Sequence, residues 1–381
     1  MRLTDQGAKG KGGAPKGDGL TKPIFTTLDA LRGAAAVIVV VYHAGTSRVP
    51  GGYLAVDLFF TLSGFVLAHN YGDALHGWRD AGRFFVRRLV RLYPLYGLAL
   101  AFGFAVHLAI TLSEGGFWPS RALASLGANA LFAPAAPAFS PTAHPYPFNP
   151  PAWSLFFELG INGVFALAAP FLRSWRLLIA FVGLGAVSLA WASVAHGDLN
   201  GGARFSGFAV GAARVLFSFF TGVALHRLWA AGRLRLRLSP WIVVAGFLAL
   251  VLAPASEPWV ALRDLVIVLV LLPLLVAAST DGRPSALLGY LGRISFALYV
   301  IHTPVLYLLN QAGEAVAGLR VREMGPAGPA LLLAASLPAA AVLDRLDGPL
   351  RRWLLSRLPP WACRPSGARP DAHSPKASLQ G

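Results

Sequence analysis

The sequence predicts an all-α, polytopic membrane protein. Of its 381 residues, 55% are hydrophobic and only 13% are charged, whereas soluble domains carry about 25% charged residues. Apolar runs of roughly 18 to 25 residues, the length of a membrane-spanning helix, recur along the chain. The chain is therefore expected to form about ten transmembrane helices.

The apolar runs divide the chain into a membrane domain and two tails. The ten predicted spans cover 28–46, 53–70, 92–112, 152–170, 176–195, 206–226, 240–254, 259–278, 287–309 and 327–345. Residues 1–23 are predicted to be a disordered, basic cytoplasmic tail, 24–347 the membrane domain and 348–381 a cytoplasmic tail. Residues 113–151 are expected to be an extracytoplasmic loop with a short helix near 121–133.

The basic residues predict the orientation. With the N-terminus inside, 26 of the 33 Lys and Arg residues lie on the inner side and six on the outer side. Cytoplasmic loops of membrane proteins carry such an excess, so both termini are predicted to be cytoplasmic. The net charge of +16 is then assigned to orientation and to sites for anionic head groups or anionic substrates. Neither a nucleic-acid partner nor a metal site is expected.

The first predicted span, LDALRGAAAVIVVVYHAG, carries two residues that are costly in lipid. Arg32 and His43 are eleven residues apart, about three helical turns. They therefore share one helix face and are separated by roughly 16 Å along the axis. A guanidinium and an imidazole in the same membrane helix are expected to have partners or a cavity elsewhere in the protein.

Four titratable residues are predicted to lie at one depth in the outer half of the membrane. They are His43, Asp57, Glu158 and His302. Ionisable residues inside spans usually face a cavity or a partner, so a common cavity is expected. The alternative for each is structural: a satisfied interhelical hydrogen bond, a helix-start residue or the filling of a kinked helix. Polar stripes accompany them: Ser154, Glu158 and Asn162; Ser295, Tyr299 and His302; Asp57, Thr61 and Gly64.

A basic cluster is predicted at the inner side. The stretch RFFVRRLVRLYP holds Arg83, Arg87, Arg88 and Arg91, and Arg32 and Arg293 lie at the same depth. One interpretation is a topology anchor that binds anionic lipids. The other is a polyphosphate site, because guanidinium groups match phosphate oxygens bidentately. Arg214, inside a span, is expected to meet lipid head groups or a buried carboxylate, and Trp153 to be an interfacial anchor.

Five segments in order resemble the acyltransferase-3 family of integral membrane acyltransferases. They are LDALRGAAAVIVVVYHAG, GGYLAVDLFFTLSGFVLA, FFVRRLVRLYPLY, PAWSLFFELGIN and LGRISFALYVIHTPV, which together extend from Leu28 to Pro304. Phe157 replaces the small residue or Val that usually precedes the family's glutamate.

The resemblance implies an O-acyltransferase in the inner, or plasma, membrane. It would move an acyl group, with acetyl as the expected group, from cytosolic acyl-CoA to a hydroxyl of an extracytoplasmic glycan or glycolipid. No permanently bound cofactor is expected. By the resemblance His43 is the essential histidine, Glu158 assists it, and Arg32 and the region of Arg88 and Arg91 face the CoA phosphates.

The site residues are assigned roles by hypothesis. His43 is the general base, and Glu158 or Asp57 orients the imidazolium. The residues expected to contact substrate are Arg32, Arg87, Arg88, Arg91, Ser63, Ser154, Tyr299 and His302, of which Ser63, Ser154 and Tyr299 are candidate oxyanion donors. A covalent acyl-histidine is the alternative chemistry. A proton-coupled exporter or flippase that uses the same residues as a relay, and a structural lipid-binding protein, are the alternative functions.

Overall fold

The computed structural model describes residues 25–116, 118–142, 144–234, 236, 238–280 and 285–363. Within these ranges every regular element is helical and no strand is present. The predicted all-α class is thereby confirmed. The tail predicted over 1–23 and the chain beyond 363 lie outside the described residues.

Thirteen α-helices follow one another in this described part of the chain. They are α1 (Thr26–Ala44), α2 (Ala55–Tyr71), α3 (Trp78–Ser113), α4 (Pro119–Ala130), α5 (Trp153–Ala168), α6 (Trp175–His196), α7 (Phe208–Ala230), α8 (Pro240–Leu252), α9 (Val260–Val266), α10 (Leu272–Ala277), α11 (Ala286–Ala317), α12 (Ala327–Arg357) and α13 (Pro360–Cys363). A π-helical turn, Ile267–Leu271, joins α9 to α10. Short 3-10 helices occupy Thr46–Arg48, Gly52–Leu54, Pro150–Ala152, Phe205–Gly207 and Val321–Glu323.

Nine helical segments of the described chain are long and apolar enough to cross a membrane. They correspond to nine of the ten predicted spans, with α9 and α10 counted as one. The exception is α8, whose 13 residues extend about 20 Å. That length falls short of the hydrocarbon core, which is about 30 Å thick.

Two helices extend well beyond the apolar runs that predicted them. The span predicted at 92–112 belongs to α3, which has 36 residues and begins at Trp78. The basic stretch before Pro94 is therefore part of the same helix. Likewise α12 continues to Arg357, past the predicted boundary at 347. Apolarity marks where a helix leaves the lipid, whereas a helix ends where its backbone hydrogen bonds end.

Glycine residues allow two helix crossings that position the site. A Cβ atom on Gly33 of α1 would stand 2.7 Å from the Cβ of Leu291 on α11, so a side chain there would separate these helices. A Cβ on Gly64 of α2 or on Gly222 of α7 would overlap a backbone carbonyl of the other helix. Such close approach through small residues is typical of membrane helix packing. Gly64, which shares a stripe with Asp57 and Thr61 in the sequence, is thus a point of close backbone approach.

Candidate active site

His43 lies in the last turn of α1 with its tautomer fixed by the backbone. Its Nδ1 is 2.8 Å from the carbonyl oxygen of Val39. A carbonyl only accepts a hydrogen bond, so Nδ1 carries the hydrogen and donates it. The lone pair of the neutral ring is consequently on Nε2, the ring atom that is able to accept a proton.

His302 of α11 lies directly against His43. The ring centroids are 4.8 Å apart, and Nε2 of His302 is 3.4 Å from Nδ1 of His43. His302 Nδ1 donates to the carbonyl oxygen of Tyr299 at 2.7 Å, so its Nε2 also holds a lone pair. The Thr303 hydroxyl donates to that Nε2 at 3.1 Å. Two of the four residues that were predicted to lie at one depth are therefore in contact.

Asp57 does not reach His43, because it is bound to Arg214. Both side chains are buried, with 0% and 1% exposure, and Arg214 Nη2 lies 2.6 Å from Asp57 Oδ2. Arg214 also donates to the carbonyl oxygens of Gly201 and Tyr53, at 2.8 and 2.6 Å. The catalytic orienting role predicted for Asp57 is thus contradicted by its geometry. Of the two partners expected for Arg214, the buried carboxylate is the one observed.

Glu158 is also directed away from His43. Its Oε1 accepts from Arg88 Nη2 at 2.6 Å and from the Ser63 hydroxyl at 3.2 Å. The carboxylate therefore fixes the guanidinium of Arg88. In the described residues the Nδ1 hydrogen of His43 meets the carbonyl of Val39 and the imidazole of His302, and neither predicted carboxylate contacts it.

A cavity of about 230 Å³ lies at the end of α1 that carries Arg32, called here the Arg32 end. Its polar lining consists of Arg32, Ser63, Arg88, Arg91, Ser154, Glu158, Arg293, Ser295 and Tyr299. Arg87, one of the predicted substrate contacts, is not part of this lining. Arg88 and Arg91, one helical turn apart on α3, line the cavity, whereas Arg87 does not.

A larger cavity, of about 550 Å³, lies at the opposite end of α1, called the His43 end. Its lining includes Tyr42, His43, Tyr53, His144, Trp153, His196, Asp198, Asn200, Arg204 and Arg214. Trp153 is buried under this cavity, with its ring 5.5 Å from the Arg214 guanidinium, so the expectation of an interfacial anchor is wrong. Sequence reasoning missed His144 and Asn200, which lie on loops that no periodicity marks.

The two cavities meet at a common wall. Val56 and Tyr299 line both of them. The Tyr299 hydroxyl donates to the carbonyl oxygen of Pro151 at 3.1 Å and lies 2.7 Å from the Ser154 hydroxyl. The Tyr299 ring is also 6.0 Å from that of His302. A substrate group that passed this wall from the Arg32 end would therefore arrive beside the histidine pair.

The site contains an imidazole, hydroxyl groups and guanidinium groups. Among the residues that the structure describes, no three His, Cys, Asp or Glu side chains come together as metal ligands. His43 Nε2 is suited to accept a proton. The hydroxyl groups of Ser154 and Tyr299 both donate to the carbonyl oxygen of Pro151, so they can donate to a developing oxyanion only by leaving that carbonyl. The arginines at the other end are suited to bind an anion.

Comparisons with known proteins indicate a family. A model of an acyltransferase domain, acyltransferase-3, matches residues 25–345. The exopolysaccharide production protein ExoZ of Rhizobium meliloti is 26% identical over 323 residues, covering 79% of this chain and 90% of its own length. The peptidoglycan O-acetyltransferase OatA of Listeria monocytogenes is 23% identical over 341 residues.

The match covers different fractions of the length of these relatives. OatA is covered over 50% of its length and 76% of this chain, so this chain spans about half of that relative. Protein 2 in the picA locus of Rhizobium radiobacter is 42% identical over 156 residues, which are 37% of this chain and 81% of that protein. No solved structure matches the chain. Since the family model covers most of the sequence and the helices that build the site, the chain belongs to the acyltransferase-3 family and is a multi-pass membrane acyltransferase.

Proposed function

We propose that the protein transfers an acyl group, with acetyl as the expected group, from acyl-CoA at the Arg32 end to a glycan or glycolipid hydroxyl at the His43 end. One observation carries the proposal: two cavities of different character share Val56 and Tyr299 as a wall beside the histidine pair. A reaction between substrates from opposite sides of a membrane needs such a meeting point.

The donor end is suited to the phosphates of CoA. Arg32, Arg88, Arg91 and Arg293 line the smaller cavity, and guanidinium groups bind phosphate oxygens with charge-assisted, often bidentate hydrogen bonds. Arg32 and His43 are separated by about 16 Å along α1. The pantetheine arm of the donor would run along this helix and carry the thioester to the wall.

The acceptor end is suited to a sugar. Trp153, Tyr42 and Tyr53 supply aromatic surface, on which the C–H face of a sugar ring packs. Asp198 and Asn200 supply a carboxylate and an amide for its hydroxyl groups. Relatives named for exopolysaccharide production and for peptidoglycan O-acetylation support an acceptor of the cell envelope.

The proposed chemistry uses the lone pair on His43 Nε2. This atom takes the proton of the acceptor hydroxyl while the hydroxyl oxygen attacks the thioester carbonyl carbon. The C–S bond then breaks, the ester is released, and the CoA thiolate takes a proton from the imidazolium. The carbonyl oxygen of Val39 accepts the Nδ1 hydrogen of His43, and the Nε2 of His302, 3.4 Å from the same atom, adds to the stabilisation of the positive charge. From the sequence a carboxylate was expected in this role. Ser154 and Tyr299 are the proposed oxyanion donors.

The proposed setting is the inner, or plasma, membrane, with the Arg32 end at the cytosol. The excess of Lys and Arg predicted for that side supports this orientation. In it, cytosolic acyl-CoA reaches the arginines directly, and the acceptor meets His43 from outside.

The test is label transfer in proteoliposomes that contain the purified protein. Acetyl-CoA labelled in the acetyl group is supplied with cell-envelope glycans, and vesicles without protein are the control. We expect glycan labelling that requires both the protein and acetyl-CoA. Glycan movement that is driven by a proton gradient and needs no acetyl-CoA would instead support the exporter alternative. Label that stays on the enzyme without acceptor would support an acyl-histidine.

A further inference from the structure

Every arginine that lines the smaller cavity already has a carboxylate partner. The pairs are Arg32 with Asp29 at 2.8 Å, Arg88 with Glu158 at 2.6 Å, Arg91 with Asp347 at 3.4 Å and Arg293 with Asp344 at 3.3 Å. Four positive charges are thus balanced by four negative ones. A polyanionic ligand gains full attraction from these arginines only if some of the carboxylates leave them.

Two of the four ion pairs are expected to remain intact when an anion enters the cavity. Asp29 and Arg32 lie one turn apart on α1, so they move together. Glu158 accepts a second hydrogen bond from Ser63. Its pair with Arg88 is the shortest of the four, and the two side chains are only 19% and 15% exposed.

The other two pairs are loose and come from one helix. Asp344 and Asp347 are three residues apart on α12, so they share a face, and α12 contributes no residue to the cavity lining. Their distances to Arg293 and Arg91 are the longest of the four. Those arginine side chains are 64% and 44% exposed, whereas the Asp344 and Asp347 side chains are 24% and 14% exposed. Water and salt weaken such pairs.

The two arginines have other supports that do not depend on α12. The guanidinium of Arg91 lies 5.9 Å from the ring of Phe296, and that of Arg293 lies 5.0 Å from the ring of Tyr290. Both rings belong to α11. Asp347 likewise has a second cation, Arg351, on its own helix. Arg91, Arg293 and Asp347 therefore each keep a favourable contact when the pairs separate.

We propose that Asp344 and Asp347 are positioning residues that occupy Arg293 and Arg91 while the cavity is empty and are exchanged for phosphate oxygens when the donor binds. The inference rests on the proposed function, because it takes the polyphosphate of CoA as the incoming anion. Exchange in one direction admits the donor. The reverse exchange, when the carboxylates return, helps the CoA product to leave.

The test measures CoA binding and transfer kinetics with Asp347→Asn in nanodiscs. Removing the competing carboxylate should tighten CoA binding about three- to fivefold, the upper range for a partly exposed ion pair. The apparent KM for acetyl-CoA should fall with it, while kcat stays equal or drops because product leaves more slowly. Asp347→Glu should restore the wild-type values, and high salt should reduce the difference between the proteins.

Asp80→Asn is the matched control. Asp80 also pairs with an arginine, Arg83, at 3.2 Å on the N-terminal part of α3, and neither residue lines the cavity. The control changes the net charge by the same amount and should leave CoA binding unchanged. A merely structural role of Asp347 predicts weaker CoA binding in Asp347→Asn, since Arg91 would lose its support.

The outcomes separate the two proposals. If the wild-type protein binds CoA and Asp347→Asn binds it equally or more weakly, the exchange is refuted and the acyltransferase proposal stands. If Asp80→Asn tightens binding as much as Asp347→Asn, the effect is net charge and the exchange is again refuted. If the wild-type protein binds no CoA at all, both proposals fail together.

Discussion

Nδ1 of His43 lies 3.4 Å from Nε2 of His302. Each ring donates its Nδ1 hydrogen to a carbonyl oxygen of its own helix, that of Val39 for His43 and that of Tyr299 for His302. The pair joins α1 to α11 in the middle of the site. A backbone carbonyl and a second histidine here hold the first histidine, where many enzymes use a carboxylate.

The first prediction concerns this pair. His43→Ala should abolish acyl transfer, because removal of a general base lowers rates about 10²- to 10⁴-fold. His302→Ala should lower kcat roughly 10- to 150-fold, which corresponds to a charge-assisted hydrogen bond of about 1.5–3 kcal/mol. The double variant should be no slower than His43→Ala. Steady-state kinetics in detergent measure all three.

His107→Ala is the control for these histidine variants. His107 packs against Phe148 in an edge-to-face arrangement and lines neither of the two cavities. Transfer by His43→Ala at more than a tenth of the wild-type rate would remove the proposed base, and additive losses in the double variant would show that the two histidines act independently.

A second prediction separates anion binding from topology. Arg88→Ala should raise the apparent KM for acetyl-CoA about tenfold or more, as expected for a lost charge-assisted hydrogen bond. It should change kcat much less. Arg79→Ala, which removes an arginine that lies over Trp78 outside the cavity, is the control. Equal KM values for both variants would make Arg88 a topology anchor only.

A third prediction assigns Asp57 to stability. Asp57→Ala leaves the Arg214 charge buried and unpaired, which should cost about 3–5 kcal/mol of folding free energy. Asp57→Leu combined with Arg214→Met should recover much of that loss, because no unpaired charge remains. Thermal unfolding in detergent reports the change.

The exposed pair of Arg322 and Glu323 is the comparison for Asp57. Its removal by Glu323→Ala should cost at most about 1 kcal/mol. Should Asp57→Ala unfold at the wild-type temperature and yet be inactive, Asp57 would be restored as a catalytic residue.

A fourth prediction tests the crossing of α2 and α7. Gly64→Ala places a Cβ against the backbone carbonyl of Phe219, so the helices must separate at a cost of about 1–3 kcal/mol. Gly160→Ala places its Cβ in open space and should be neutral or stabilising, because alanine favours helix. A lower unfolding temperature is expected for Gly64→Ala alone. Equal temperatures would mean that the crossing is adaptable.

The helices were predictable because apolar runs and membrane thickness dictate them. The positions of Arg32 and His43 on one face follow from helical periodicity alone, and both ends of α1 border a cavity in the structure. Helix ends were less predictable, since α3 and α12 continue as polar helices beyond the lipid.

Contacts between helices were not predictable from depth. Four residues were placed in one layer, yet only His43 and His302 meet. Asp57 pairs with Arg214 on α7 and Glu158 with Arg88 on α3. A sequence gives the height of a residue along its helix, whereas the neighbour it meets depends on helix packing, which here follows from glycine positions such as Gly33.

The wall formed by Val56 and Tyr299 has a consequence for the membrane itself. The same two side chains border a cavity from each end of the protein, so at this point a single layer of side chains separates the two spaces. That layer must hold back protons and ions for as long as the protein remains in an energised membrane. The hydrogen bonds that fix the Tyr299 hydroxyl to Ser154 and Pro151 thus belong to a permeability barrier as well as to an active site.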